Sequence, residues 1–229
     1  MNTLRKLLQF WPWLAAILSG VLCAACFPPF NQNWLCWIAL TPLIAAVWFS
    51  GQNSKRQWLR NLLLGDVAGI VFFTGTFSWL GSLGTLFDNF WLHGLSLLLS
   101  VYLGLNFALW SWFGGLLRPA VAATASATDP IARPVTNKWS AMLERARRTA
   151  PVPQSPWLRS TSNLRLAFLL ACAWVAHEWL RGWLFTGFGW NGLGVALHAN
   201  WPLIQITEVT GVVGLSFMVV FAKDRKSVV

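Results

Sequence analysis

The chain has 229 residues, of which 56% are apolar and only 10% charged, a composition that excludes an ordinary soluble domain and points to a membrane. Seventeen Trp and sixteen Phe against a single Tyr fit side chains that lie at headgroup depth or pack in lipid. The net charge of +10 comes from basic residues scattered between apolar segments, which argues for membrane orientation and against nucleic-acid binding.

Arg5 and Lys6 precede an apolar run at 7–26. At ~20 residues it is long enough to span a bilayer, and longer than the apolar core of a signal peptide. Leu22-Cys23-Ala24-Ala25-Cys26 has the outline of a lipoprotein processing site, but Cys23 stands where Leu or Val is wanted, so a first spanning helix is expected instead. Cys23, Cys26, Cys36 and Cys172 all fall in apolar runs with no His at metal-ligand spacing, and read as small buried hydrophobes. No metal or cofactor is expected.

Phe27-Pro28-Pro29-Phe30 breaks the first helix, because two prolines cannot both continue it. A second run at 34–49 is short and interrupted by Pro42. After the polar stretch 50–60, a third run at 62–83 contains Asp66 and Gly65-x-x-x-Gly69, a spacing that permits close helix contact. A short polar break with Asp88 precedes a fourth run at 90–117, long enough to span with tilt.

Between 118 and 163 Ala, Thr, Ser and Pro dominate, and no packed core is expected. Within it 138–148 reads as a basic amphipathic helix lying on an anionic leaflet. A fifth run at 164–180 and a sixth at 203–221 complete the series. No segment alternates at period two for long enough to be a barrel strand, so the expected fold is an all-α membrane protein, a polytopic bundle of about six transmembrane helices. A cytoplasmic N-terminus places every Lys and Arg but Arg181 on one side, as the positive-inside rule requires.

The exception lies in the stretch His177-Glu178-Trp179-Leu180-Arg181-Gly182, which sets opposite charges at the end of an apolar run where charge is costly. Glu178 and Arg181, at i and i+3, share a helix face, whereas His177 lies about 100° round the axis. Two readings are open: a buried ion pair that anchors the helix end, or a forked donor from Arg181 to a phospholipid phosphate or a substrate carbonyl. The loop that follows mixes Gly182, Gly187, Gly189, Gly192 and Gly194 with Trp183, Phe185, Phe188 and Trp190, which suits a re-entrant turn or a lining for acyl chains. Glu208 is a further acid within an apolar run, with Arg181 or Trp190 as conceivable partners. The candidate lipid- or substrate-contacting residues are therefore Glu178, Arg181, Trp190 and Glu208. No Ser, His or Cys arrangement forms a nucleophilic site.

Glu178-Trp179-Leu180-Arg181-Gly182 followed by Phe185-Thr186-Gly187-Phe188-Gly189-Trp190-Asn191 resembles bacterial apolipoprotein N-acyltransferase, with Gly189 where the family usually has Pro. Gly211-Val212-Val213-Gly214-Leu215-Ser216-Phe217, Phe27-Pro28-Pro29-Phe30 and Gly69-Ile70-Val71-Phe72-Phe73-Thr74-Gly75 extend the likeness. The resemblance implies a multi-pass enzyme of the bacterial inner membrane that moves an acyl chain from a phospholipid donor to the diacylglyceryl-cysteine of a lipoprotein acceptor. It also implies that the chemistry belongs to a nitrilase-like α/β domain with a Glu-Lys-Cys triad, which follows the membrane helices and is absent from this chain. None of the four cysteines stands where that nucleophile would, so no catalytic residue is carried over. The chain is expected to be a truncated or frame-shifted member, inactive alone.

On these grounds residues 1–117 hold the first four transmembrane helices, 118–163 a basic cytoplasmic loop, 164–222 the last two helices with the periplasmic Gly/Trp loop, and 223–229 an atypical tail. A competing expectation is a small transporter or channel subunit with Glu178, Arg181 and Glu208 as an intramembrane relay; inverted repeats would favour it, and the segment pattern shows none. A third is a non-catalytic membrane scaffold.

Overall fold

The computed structural model describes residues 2–50, 55–88, 90–117 and 156–226. Contacts divide the chain into two units, Met1–Arg118 with Asn163–Val229, and Pro119–Ser162. The second is described only at 156–162, as helical backbone; the expected interfacial helix at 138–148 lies outside the described residues. Among the described residues regular structure is entirely helical.

Helix α1 (Asn2–Ala25) ends just ahead of the Pro28-Pro29 pair, and a 3-10 helix, Asn33–Trp37, follows. Helix α2 (Thr41–Phe49) carries Pro42 in its first turn, where a missing N–H costs nothing because that group would lack an intrahelical partner anyway. The run that predicts one helix over 62–83 instead forms two, α3 (Gln57–Thr76) and α4 (Ser78–Leu86), bent by 47° at Phe77. Thr76 Oγ1 donates back to the carbonyls of Phe72 and Phe73 at 3.1 and 3.3 Å, a bond pattern that competes with the helix ladder and bends it.

Helix α5 (Phe90–Leu116) is followed by α6 (Pro156–Arg181), a one-turn α7 (Trp201–Ile204) and α8 (Thr207–Lys226). The sixth apolar run is likewise not one smooth rod, since Gly211 inside α8 has φ 67° and ψ 178°, a backbone region open almost only to glycine. By length and apolarity one described helix, Gly94–Leu116, can cross a membrane, or two if the bent α3–α4 pair counts as one span.

The core is built on α3 against α5, and the Gly65–Gly69 spacing supplies the close approach it predicts. A Cβ added at Gly65 would lie 2.3 Å from Phe107 O, and one at Gly69 would lie 2.6 Å from Gly104 Cα. Gly20 brings α1 against α3 in the same way, at 2.5 Å from Ala68 O. Around these seams Leu64, Ala68, Phe72, Phe73, Leu103, Phe107 and Trp110 are buried, as are Cys23, Cys26 and Cys36, while Cys172 is half-buried. Two tryptophans tie further helices to this pair: Trp48 Nε1 donates to Gly114 O at 3.0 Å and Trp110 Nε1 to Leu170 O at 2.9 Å.

Candidate functional site

Helix α6 stops at Arg181, and the chain beyond it is irregular until α7, with short 3-10 turns at Leu184–Thr186 and Leu193–Leu197. Phe185 and Asn191 take left-handed backbone angles, φ 48° and 57°, and Gly187 has φ 82°. A Cβ at Gly187 would meet Gly182 O at 2.1 Å, so this glycine is required both by its angle and by the closeness of the chain to itself.

The helix end places Trp174, His177, Glu178 and Arg181 on neighbouring turns of one side. Glu178 Oε1 accepts from Trp174 Nε1 at 2.8 Å and from the Leu193 N–H at 2.7 Å. The direct Glu178–Arg181 pair that the i, i+3 spacing suggests does not form: no hydrogen bond or ion pair joins them, and Arg181 Nε is buried without a partner. The physical reason lies in the loop. Leu193 opens a 3-10 helix whose first amides have no partner within it, and a carboxylate is the stronger acceptor for such a group.

Arg181 is only 5% exposed, and its guanidinium carbon sits 5.4 Å from the centre of the Phe73 ring of α3. An aromatic ladder continues outward from that ring: Phe73 stacks with Phe77 at 5.6 Å, Phe77 meets Phe188 edge-on at 5.6 Å, Phe188 lies 6.0 Å from Trp190, and Trp190 stacks on Trp79 at 5.9 Å. Trp190 itself is 59% exposed. The ladder thus connects a buried cation to an exposed aromatic rim, across the bend between α3 and α4.

Arg181, Glu178 and His177 line a pocket with an empty volume of about 390 Å³, part of it open to the surroundings. Its apolar walls are Phe72, Phe107, Trp174 and Leu193, and Asn106, Asn191 and Cys23 complete it. The arrangement offers a desolvated guanidinium donor inside a mostly apolar cleft, which suits an oxyanion or carbonyl attached to a hydrocarbon. Among the described residues no group of three His, Cys, Asp or Glu could hold a metal.

Of the sequence-predicted residues the structure therefore brings Glu178 and Arg181 to one pocket. Trp190 stands at the rim of the ladder and is not part of the pocket lining. Glu208, exposed in the first turn of α8, is not in the lining and makes no direct bond to Arg181 or Trp190. Asn106 and Trp174 were not singled out in the sequence, and Asn191 and Phe73 entered only within motifs that carry the resemblance, not as site residues. Asn106 had a signal, being a lone amide in a long apolar run, and Trp174 lies one turn before Glu178; Phe73 lay in a quoted motif, but only packing sets it under the guanidinium.

A family model described as apolipoprotein N-acyltransferase N-terminal domain matches residues 19–223. Apolipoprotein N-acyltransferase of Geobacter metallireducens is 31% identical over 92% of this chain and 32% of its own length, and that of Chromobacterium violaceum 27% identical over 90% and 31%. The enzyme of the same name from Rickettsia bellii is 43% identical over 60 residues, 26% of this chain and 12% of its own. The chain spans about a third of the length of the curated relatives that it matches along most of its extent.

Proposed function

The chain belongs to the apolipoprotein N-acyltransferase family, and from that premise we propose that it is the membrane portion of an enzyme that moves an acyl chain from phospholipid to the N-terminal diacylglyceryl-cysteine of lipoproteins. In this proposal the six apolar runs cross or enter the bacterial inner membrane with the N-terminus cytoplasmic, and the 183–200 loop faces the periplasm. The basic stretch 118–163 is then a cytoplasmic loop, between four helices in 1–117 and two in 164–222.

One observation carries the role of the site: a buried guanidinium with a free Nε–H, in an apolar cleft next to a carboxylate whose own bonds go elsewhere. Arg181 then takes a phosphate or ester oxygen of the phospholipid, with Glu178 beside it and Trp190 at headgroup depth. In this reading none of the four cysteines is the acyl-carrying nucleophile: Cys23, Cys26 and Cys36 are buried and Cys172 is half-buried in α6. By family resemblance the acyl transfer itself is carried out by a nitrilase-like domain.

The test is phospholipid retention by the purified chain, counted by native mass spectrometry against diacylglycerol, which lacks the phosphate. Arg181→Ala is expected to lower phospholipid retention roughly tenfold, the worth of one charge-assisted bond, with Arg181→Lys intermediate. Equal retention by wild type and Arg181→Ala would remove the lipid role and leave the arginine a structural one.

A further inference from the structure

The loop after α6 is gripped from two helices at consecutive amides. Leu193 and Gly194 open the 3-10 helix Leu193–Leu197, and their N–H groups need acceptors from outside it. Glu178 Oε1 of α6 takes the first at 2.7 Å, and Ser216 Oγ of α8 takes the second at 2.7 Å. Ser216 is fully buried, and so is the loop at Leu193 and Gly194. Glycine at 194 is what lets the loop come so near: a Cβ there would lie 2.3 Å from Val212 O and 2.9 Å from Ser216 N. Val212 follows the break at Gly211, so the bend in α8 brings up the surface against which the loop rests.

We propose that Ser216 is a positioning residue, acting with Glu178 as a two-point clamp that holds Asn191 and Leu193 in place as a wall of the Arg181 pocket. The purpose of the clamp rests on the lipid-pocket proposal above; its existence does not. What Glu178 contributes to the clamp is an acceptor oxygen, which a glutamine side chain also carries, whereas an ion pair would need the charge. What Ser216 contributes is its hydroxyl, which plain burial would not require.

The experiment is amide hydrogen exchange at single-residue resolution on the lipid-free 229-residue chain in micelles. With Ser216→Ala the Gly194 amide is expected to exchange roughly 3- to 10-fold faster, the loss of one net hydrogen bond, and Leu193 to follow it. Glu178→Ala should speed Leu193 more, roughly 10- to 100-fold, because the acceptor lost is charged. Glu178→Gln, which keeps the acceptor oxygen but not its charge, should fall between wild type and Glu178→Ala, and amides of α3 and α5 should not move in any variant. Unchanged exchange at Gly194 in Ser216→Ala, or Glu178→Gln exchanging as fast as Glu178→Ala, overturns the clamp. If Glu178→Ala does not fold, the other two variants still decide. Phospholipid retention by the same variants reports on the pocket separately, so failure of the lipid role and failure of the clamp are distinct results.

Discussion

Replacing Gly65 by alanine tests whether the α3–α5 seam governs stability. The added methyl would sit 2.3 Å from Phe107 O, 2.5 Å from Ser111 Oγ and 2.7 Å from Ala108 Cα. Two of those atoms are backbone, so no side-chain rotation relieves the clash and the helices must part by about 1 Å to reach ordinary contact. A gap of that size forfeits a quarter to a half of each dispersion well along the seam, and overpacked cores lose about 1–3 kcal/mol. Alanine returns up to about 1 kcal/mol through helix propensity, which leaves a net loss of about 0–2 kcal/mol against wild type and about 1–3 kcal/mol against an alanine placed in open space. Gly94 in α5 is the internal control, because a Cβ there meets nothing within 4 Å and only the propensity gain remains. Unfolding in mixed micelles by titration with a denaturing detergent, followed by helical circular dichroism, gives both values. Gly65→Ala as stable as Gly94→Ala would refute the close-packed seam.

Gly211→Ala should cost about 1–3 kcal/mol in the same titration, since φ 67° with ψ 178° is strained for any residue with a Cβ. Trp110→Phe keeps an aromatic side chain but loses the pyrrole half of the buried indole together with the 2.9 Å bond to Leu170 O, so a loss of about 2–3 kcal/mol is expected. If the proposed orientation holds, cysteines introduced at 185 or 190 react with an impermeant thiol reagent added outside intact cells, and one introduced at 55 reacts only after lysis; the reverse pattern excludes the orientation. Incubated with phospholipid and a diacylated lipopeptide, the purified 229-residue chain should give no triacylated product by mass spectrometry, and turnover would place a nucleophile within these residues.

The helical character of the described residues, the break after Cys26 and the Gly65–Gly69 contact were legible as patterns, whereas Pro42, read as interrupting the 34–49 run, sits in the first turn of α2. Each depends on neighbours a few positions away: apolar runs, a ring that fixes φ, a missing Cβ at helical spacing. The bends at Phe77 and Gly211 were not legible, because an apolar run looks the same whether the helix through it is straight or broken. Thr76 and Gly211 were the local marks, but each is common in unbroken helices.

At the site the residue pattern marked Glu178 and Arg181 as neighbours on one face and offered their mutual attraction as the simplest account. Folding set them to different tasks. Leu193 arrives from the loop with an amide that needs an acceptor, Phe73 arrives from α3 with a ring for the cation, and Ser216 arrives from α8 beside Gly194. Composition and spacing act along the chain and so announced helices, and the quoted motifs carried the resemblance to the family. Which donor met which acceptor was set by the packing of distant helices, where a buried polar group binds to whatever partner the tertiary fold brings within reach.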